Sequence, residues 1–273
     1  MGASATVIIP TFGNAKFARW AIRSVQQQSV ANIEICIICD GSPPEMVALF
    51  KQMEKEDPRL KVFLYPKSPR TGEPYRDIVI KHTTGNIICY CSHDDLWLPN
   101  HIREIEKSLR KGYFTHSIHA VVNLPTAITD EKRLFNPIYW IDLQDPKIIK
   151  AMLGGQNFFG LTYGAHTRRS YNELAEGWVT TPDKNIPTDL YMWCKFLSAY
   201  GSRCNTTRKI TALCFPRVTR KNWSEQERDD ELKLYFEKIQ TLAFLDKIEE
   251  KSCRSLYQKT RYFVNKIYKQ CVL

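Results

Sequence analysis

The sequence predicts an α/β protein: a mainly parallel sheet with helices on both faces, followed by a C-terminal helical tail. Strand-like and helix-like stretches alternate through the first half of the 273-residue chain, a pattern typical of parallel sheets. The strand-like stretches are short apolar runs, as expected for a sheet that is covered on both faces. From Ser224 onward the pattern is helical, as two helices or as one broken helix.

Four strands and four helices are predicted in alternation before residue 115. The strands are "ATVIIP", "IEICIIC", "LKVFLY" and "NIICYC". The helices are "NAKFARWAIRSVQQQ", a segment from about Pro44 to Lys55, "PYRDIVIKHTTG" ending at Gly85, and "LPNHIREIEKSLRKG" ending at Gly112.

The second half of the chain is less regular. "HAVVNL" and "LTYGAHT" are predicted strands, and residues 124–160 are predicted to form long loops because they mix Pro, Asn and aromatic residues. "PTDLYMWCKFLSAYG" is predicted to be a helix that begins around Pro187 and stops at Gly201.

The bulk composition limits the classes of function. Lys and Arg number 39 against 29 for Asp and Glu, and this net charge of +10 favours polyanionic partners such as nucleotide phosphates, nucleic acid or an anionic membrane. No membrane-spanning run and no signal peptide are predicted. Nine cysteines without a secretion signal predict reduced thiols in a cytoplasm, with Cys36 and Cys39 buried in a strand.

Polar stretches follow three of the predicted strands. "PTFGN" comes after the first strand, "DGSPPE" after the second and "SHDD" after the fourth. Because ligands of open parallel sheets bind beyond the carboxyl ends of the strands, we expect these stretches to meet at one site. A lone Asp after a strand is usually a turn former, but Asp94 and Asp95 are adjacent and repel each other unless a cation or solvent compensates.

Four stretches occur in an order typical of one enzyme family: "VIIPTFGNAKFARWAIRSVQQQS", "IEICIICDGS", "TTGNIICYCSHDDLWLP" and "IPTDLYMWCKF". With them the chain resembles the family 2 glycosyltransferases, which have the Rossmann-like GT-A fold, over roughly residues 4–220. The resemblance implies a catalytic domain over residues 1–223, made of a nucleotide-sugar-binding half (1–115) and an acceptor-binding half (116–223). Residues 224–273 are then a C-terminal helical extension.

The resemblance also implies a donor site at the strand ends. Asp40 would accept a hydrogen bond from the nucleobase, typically the ring N–H of uracil. Asp94 matches the second Asp of the family's Asp-x-Asp motif and would bind Mg²⁺ or Mn²⁺ on the diphosphate, with Asp95 either beside it in the metal site or capping a helix. The remaining residues implied at the nucleotide are Pro10, Thr11, Phe12, Arg70, Arg76, Ser92 and His93, the last mainly as a spacer.

Two positions depart from the family pattern. Ser92 stands where the family often has Asp, and Thr219 stands where a His is common, so two groups that can surround a metal are replaced. Arg217, Arg220 and Lys221 lie in the same segment as Thr219 and can neutralise phosphate instead.

Asp189 is the predicted catalytic base. It begins the helix "PTDLYMWCKF", where the family carries an acidic residue that activates the acceptor, and a carboxylate can take the proton of an acceptor hydroxyl during inversion. An acid in the first turn also suits a helix N-terminus, but we expect Thr188 to serve as the cap. Asp183, in the preceding loop, is the reserve candidate.

The predicted function is an inverting glycosyltransferase that moves a sugar from a nucleotide diphosphate donor, with UDP-sugar favoured, to an acceptor hydroxyl. The expected setting is surface polysaccharide or glycolipid synthesis, with a glycan or glycolipid acceptor and no nucleic acid partner. A nucleotidyltransferase is one alternative, although "PTFGNAKF" is not the Gly-rich basic loop that class carries. A non-catalytic protein that binds nucleotide sugar or nucleic acid is the other.

Two further features have both a functional and a structural interpretation. Residues 251–273 hold six basic residues and no acid, and are expected either to lie on the cytoplasmic face of an anionic membrane or to dock on the catalytic domain. Trp140, Trp178 and Trp193 are expected either to stack on sugar rings or to fill the core.

Overall fold

The computed structural model describes residues 2–124 and 134–252. The strands are β1 (Ala5–Thr11), β2 (Ile33–Asp40), β3 (Leu60–Tyr65), β4 (Ile87–Tyr90), β5 (Leu96–Trp97), β6 (Phe114–Val122), β7 (Phe135–Pro137), β8 (Gly164–Thr167) and β9 (Cys204–Cys214). The helices are α1 (Ala18–Gln26), α2 (Pro44–Glu56), α3 (Glu73–Lys81), α4 (His101–Leu109), α5 (Pro146–Leu153), α6 (Arg168–Asn172), α7 (Thr188–Tyr200), α8 (Glu225–Lys238) and α9 (242–252).

These strands form one sheet in the order β3-β2-β1-β4-β8-β6-β9-β5, with β7 paired to β6. The four strands predicted in the first half are β1 to β4, and they pair with one another in parallel, which confirms the α/β prediction. The second half makes the sheet mixed, because β8 runs antiparallel to both of its neighbours, β4 and β6. Strand β9 pairs parallel with β6 and antiparallel with the two-residue strand β5.

Three details of the second half differ from the predictions. Residues 124–160 are not only loops, because the described part of this segment contains β7 and the helix α5, whose N-terminus is capped by the Asp145 side chain. In "LTYGAHT" only Gly164–Thr167 is a strand, and Leu161–Tyr163 forms a 3₁₀ turn. Strand β9 was not predicted, because Thr, Arg and Lys interrupt the apolar pattern over its first half.

After Ser224 the structure has two helices, the first of the two alternatives predicted. Helix α8 begins with a capping box between Ser224 and Glu227, which satisfies backbone N–H groups that would otherwise lack partners. It packs on α1: the Asp229 carboxylate accepts hydrogen bonds from Trp20 Nε1 (2.9 Å) and from Arg19 Nη2 (2.5 Å). The segment expected to be an extension therefore lies against the first helix of the catalytic domain.

Cys36 and Cys39 are buried, as predicted, and burial raises the pKa of the Cys36 thiol to about 12. Among residues 2–124 and 134–252, no helix is long and apolar enough to cross a membrane. The membrane-binding prediction for the tail falls almost entirely on residues 253–273, which lie outside the described residues.

Candidate active site

The predicted donor-site residues gather where β1, β2 and β4 end side by side. In the parallel register Thr11 lies opposite Cys39, directly before Asp40, and β4 pairs with β1 on the other side. Thr11 is buried, and its Oγ1 lies 3.4 Å from Ser42 Oγ, which ties the two strand ends together. Phe12 follows the end of β1 with 40% of its surface exposed, and its ring is therefore available to a ligand.

The Asp40 carboxylate is buried and held by three donors. It accepts hydrogen bonds from Lys67 Nζ (2.7 Å), the Ser68 backbone N–H (2.5 Å) and Ser68 Oγ (2.9 Å). Gly72 allows this wrapping, because its φ is +77° and an added Cβ would lie 3.4 Å from the carboxylate. An ionised carboxylate has about four acceptor positions, so one remains for a ligand N–H.

The two predicted basic residues take different positions. The Arg70 guanidinium donates to the backbone carbonyls of Thr181 (3.0 Å), Asp183 (2.7 Å) and Ile186 (3.0 Å). Arg70 thereby holds the loop that precedes α7, and its predicted contact with the nucleotide stays a prediction.

Arg76 is a buried cation with unused donors. Its Nη2 donates to the Thr71 carbonyl at 2.7 Å and its guanidinium lies 4.6 Å from the centre of the Trp178 ring, while Nε and Nη1 have no hydrogen-bond partner. Burial lowers the pKa of Arg76, and the negative charges of Glu73, Asp189 and Asp40 oppose this effect. Thr71 connects Arg76 to Thr188, the neighbour of Asp189, and Gly72, next to Thr71, lies against Asp40.

Asp94 and Asp95, predicted together as metal ligands, have different surroundings. Asp95 accepts hydrogen bonds from Thr162 Oγ1 (2.6 Å), Tyr163 Oη (2.9 Å) and the Phe215 backbone N–H (3.2 Å). Burial and then the neighbouring charge of Asp94 raise the pKa of Asp95 to about 7. Asp95 thus links the end of β4 to the turn before β8 and to the end of β9.

Asp94 faces two arginines. Its Oδ1 accepts a hydrogen bond from Ser92 Oγ at 2.5 Å, and its Oδ2 lies 3.8 Å from Arg217 Nε and 3.7 Å from Arg228 Nη2. His93, which lies between Ser92 and Asp94 in the chain, packs its ring against Phe12 and Phe17. Burial lowers the pKa of His93, so the ring serves as a neutral wall of the site.

The residues at Asp94 fit a divalent metal poorly. Two guanidinium groups place positive charge at the one Asp94 oxygen that Ser92 leaves unbonded, where a cation would have to bind. The Thr219 hydroxyl donates to the Pro216 carbonyl at 2.9 Å and lies exposed. No group of three His, Cys, Asp or Glu side chains able to hold a metal occurs among the residues that the structure describes.

A cleft of about 420 Å³ opens beside Asp94. Its lining includes Phe12, Phe17 and His93, and also residues of the segment that follows β9 and of α8. Arg220 was expected to neutralise phosphate, but it is buried and bonded to both carboxylate oxygens of Glu231 at 2.6 Å. The basic groups that remain on the cleft wall are Arg217, Lys221 and Arg228.

Asp189 lies in the first turn of α7. Its Oδ1 accepts hydrogen bonds from Asn157 Nδ2 (3.1 Å) and from the Leu190 backbone N–H (2.9 Å). Burial raises the pKa of Asp189, which moves this carboxylate toward the range of a general base at neutral pH.

The prediction that Thr188 caps this helix is wrong. Pro187 occupies the N-cap position, no side chain caps the helix, and the Thr188 hydroxyl lies 3.3 Å from Thr71 Oγ1. Thr188 is therefore already the first helical residue, and it joins α7 to the loop before α3. The reserve base Asp183 is exposed, and its side chain accepts a hydrogen bond from the Asn185 backbone N–H.

The three tryptophans divide between core and surface. Trp178 and Trp193 are buried, and Trp178 Nε1 donates to Tyr90 Oη at 2.8 Å. Trp140 is 55% exposed and lies edge-on to Phe158, next to the residue that bonds Asp189. Only Trp140 of these three is placed to stack on a sugar.

Sequence reasoning missed Arg228 and Asn157. Arg228 lies in the segment assigned to the extension, more than 130 residues from its neighbour Asp94 in the chain. Asn157 lies in the segment predicted as loops, and nothing in the sequence marks it as a partner of Asp189.

The family model described as Glycosyl transferase family 2 matches residues 6–174. The chain belongs to this family. Membership confirms the predicted family, and the matched residues include the strand ends described above. Asp189, Arg217 and Arg228 lie beyond the matched range.

Curated relatives are similar over part of their length. The chain is 24% identical over 108 residues to the GalNAc(5)-diNAcBac-PP-undecaprenol beta-1,3-glucosyltransferase of Campylobacter jejuni, covering 40% of this chain and 35% of the relative. It is 24% identical over 147 residues to the uncharacterized glycosyltransferase YwdF of Bacillus subtilis, covering 52% and 53%. The chain thus spans between a third and about half of the length of these two relatives.

Solved structures confirm the GT-A fold. TarS 1-349 of S. aureus in complex with UDP-GlcNAc superposes with a TM-score of 0.59 at 16% identity, over 78% of this chain and 59% of that chain. The mannosyltransferase PcManGT from Pyrobaculum calidifontis, in complex with GDP-Man and Mn2+, superposes with a TM-score of 0.56 at 15% identity, over 82% and 60%.

Proposed function

We propose that this glycosyltransferase moves a sugar from a nucleoside diphosphate donor, a UDP-sugar in preference, to an acceptor hydroxyl with inversion. The observation that carries the proposal is the position of Arg76. Arg76 Nη2 donates to the Thr71 carbonyl at 2.7 Å, the Thr71 hydroxyl lies 3.3 Å from Thr188 Oγ1 beside Asp189, and Gly72 lies against the Asp40 carboxylate. These contacts support a single site for donor and acceptor, as a direct displacement requires.

Each residue has a task in this proposal. Phe12 and Thr11 line the base and ribose pocket beside Pro10, and Asp40 accepts the uracil ring N–H at its remaining acceptor position. The Nε and Nη1 groups of Arg76, which have no hydrogen-bond partner in the protein, donate hydrogen bonds to the nucleotide sugar. Asp189, held by Asn157 at 3.1 Å, takes the proton of the acceptor hydroxyl as the new glycosidic bond forms.

The acceptor in this proposal is a glycan or glycolipid of surface polysaccharide synthesis. The name of the Campylobacter relative, which includes PP-undecaprenol, supports a lipid-linked acceptor. Such an acceptor would bring the enzyme to the cytoplasmic face of a membrane. Exposed Trp140, beside the Asn157 segment, is placed to stack on the acceptor sugar.

The metal prediction has support and an obstacle. The mannosyltransferase complex with GDP-Man and Mn2+ supports Mg²⁺ or Mn²⁺ at Asp94. The two arginines at Asp94 and the three donors on Asp95 are the obstacle.

A nucleotide panel tests the donor class. UDP at about 100 times its Kd should stabilise the native protein by about 2.7 kcal/mol and raise the melting temperature by about 5–10 °C, more than equal concentrations of GDP or ADP. Asp40→Asn should remove the preference for UDP, and Glu45→Gln, an exposed carboxamide control on α2, should keep it. Slow release of UDP from UDP-sugars should accompany binding. Equal shifts with all three nucleotides would remove base selection by Asp40.

A further inference from the structure

The cleft beside Asp94 is lined by cations that lie on aromatic rings. Arg217, Lys221 and Arg228 line it together with Phe12, Phe17 and His93. The Arg217 guanidinium lies 5.6 Å from the centre of the Phe12 ring, and the Arg228 guanidinium lies 5.4 Å from the centre of the Phe17 ring. Glu225, an acid in the first turn of α8, also lines the cleft. Guanidinium groups that lie on aromatic rings keep the N–H donors at their edges for a phosphorylated ligand in the cleft.

Arg228 is the most informative residue of this cleft. Its side chain is only 8% exposed, yet its Nε and Nη2 have no hydrogen-bond partner. The nearest carboxylate oxygen, Asp94 Oδ2, lies 3.7 Å from Nη2, which is beyond hydrogen-bond distance. A buried guanidinium with unused donors is costly, so its presence indicates an anion that completes it.

Arg217 approaches the same oxygen from the solvent side. Its Nε lies 3.8 Å from Asp94 Oδ2, and its guanidinium carbon lies 5.6 Å from the centre of the Phe12 ring. Two guanidinium groups therefore flank one carboxylate oxygen, and neither forms a hydrogen bond with it. Asp94 can orient both groups while most of their N–H donors remain available to a ligand.

We propose that Arg217 and Arg228 bind the diphosphate of the donor and neutralise the leaving group, at the place where the family resemblance puts a metal ion. The proposal rests on the proposed function. In the reaction the bond between the anomeric carbon and the β-phosphate oxygen breaks, and its electron pair stays on that oxygen. The acceptor oxygen bonds to the anomeric carbon, and its proton passes to Asp189. The two arginines hold the added negative charge on the departing nucleoside diphosphate.

Calorimetric titration with UDP and with inorganic pyrophosphate, in EDTA and in Mn²⁺, tests this assignment. Wild-type protein should bind UDP in EDTA with an affinity within about threefold of that in Mn²⁺. Arg228→Gln and Arg217→Gln should each weaken UDP binding in EDTA by about 10- to 100-fold, the range for lost hydrogen bonds between charged groups. Lys233→Gln removes the same charge from an exposed position of α8 and should leave the affinity unchanged.

Two further variants keep the test decisive. Arg228→Lys retains the charge and should restore part of the affinity, which separates phosphate binding from folding. Arg217→Gln alters a side chain that is 66% exposed, so its effect on binding does not come from misfolding. Asp94→Asn separates diphosphate binding by the arginines from diphosphate binding by a metal, because the two predict opposite changes in affinity. If the arginines hold the diphosphate, removing a competing negative charge should tighten pyrophosphate binding in EDTA, whereas loss of a metal ligand should weaken UDP binding in Mn²⁺.

The overturning results are distinct. UDP binding that requires Mn²⁺, disappears in Asp94→Asn and persists in Arg217→Gln and Arg228→Gln would overturn the arginine assignment and leave the proposed function intact. A wild-type protein that binds neither UDP, GDP nor ADP in either buffer would overturn the proposed function itself.

Discussion

At the scale of single residues, the site depends on carboxylates whose neighbours give them different tasks. Asp40 is fixed by three donors, Asp95 by three others, and Asp94 faces two guanidinium groups. Asp189 is half-buried, accepts a hydrogen bond from one neutral side chain, Asn157, and has a pKa that burial raises. A base needs these properties, because it must accept a proton near neutral pH and then hold it.

The Asp189→Asn variant tests this assignment. It keeps the shape of the side chain and removes the base, so turnover should fall by about 10²–10⁴-fold, equivalent to about 2.7–5.5 kcal/mol of barrier. UDP affinity should stay nearly constant, since the proposal gives Asp189 no donor contact. A transfer assay beside a UDP titration measures both, and Asp183→Asn, in the loop before α7, is the matched control.

The opposite results are equally informative. If Asp189→Asn keeps most of its turnover, the base lies elsewhere and Asp183 becomes the first residue to examine. If it loses UDP binding instead, Asp189 belongs to the donor site or supports the structure. In the wild type, the activity should fall as the pH drops through the raised pKa of Asp189, because protonation disables the base.

At the scale of elements, helix α8 joins the C-terminal segment to the catalytic site. Glu231 on α8 bonds the Arg220 guanidinium at 2.6 Å through both oxygens, and both side chains are buried. Arg220 Nη2 also donates to the Val122 carbonyl at the end of β6. This pair therefore fixes the segment that carries Arg217 and holds α8, with Arg228, against the sheet.

Breaking the pair should destabilise the whole protein. Glu231→Gln leaves the buried Arg220 charge without compensation, and the free energy of unfolding should fall by about 3–5 kcal/mol in urea titrations. Glu237→Gln, on the exposed side of the same helix, should change it by less than about 0.5 kcal/mol. If both variants unfold at the same urea concentration, the pair is not what holds α8 in place.

The same elements show what the sequence can and cannot predict. Strands β1 to β4 were predictable because strands of a covered parallel sheet are continuous apolar runs between helices. The two-residue β5 and the polar start of β9 carry no such signal. Asp94 was identifiable from the motif at its strand end, but its contact with Arg228 depends on how α8 docks on α1, which no local pattern encodes.

At the scale of the whole molecule, three buried histidines should control stability in acid. His101 stacks on Trp97 at 4.0 Å, His119 stacks on Tyr163 at 3.8 Å, and His166 lies 2.7 Å from Tyr90 Oη. Burial lowers the pKa of His101 to about 3, of His119 to about 4 and of His166 to about 3. Each of them is therefore neutral in the folded protein at pH 5.

The sign of the pH dependence follows from proton counts. Below about pH 6.5 the unfolded chain binds a proton at each of these histidines and the folded protein does not, so stability should fall as the pH falls. The raised pKa values of Asp95 and Asp189 act in the opposite direction, since the folded protein binds those protons more tightly. Burial also lowers the pKa of His93, so four histidines outnumber the two carboxyl groups, and the protein should lose stability between pH 6.5 and 4.

A single variant isolates this effect. His101→Asn should lower stability at pH 7 because the Trp97 stacking is lost, but it should also flatten the pH profile by about 1.4 kcal/mol per pH unit between pH 6 and 5. His82→Asn changes an exposed histidine on the surface and should leave the slope as in the wild type. Urea unfolding at half-unit pH steps measures both slopes. An unchanged slope in His101→Asn would mean that His101 is protonated in the folded protein, and the stacked Trp97–His101 pair would then be a buried cation on an aromatic ring.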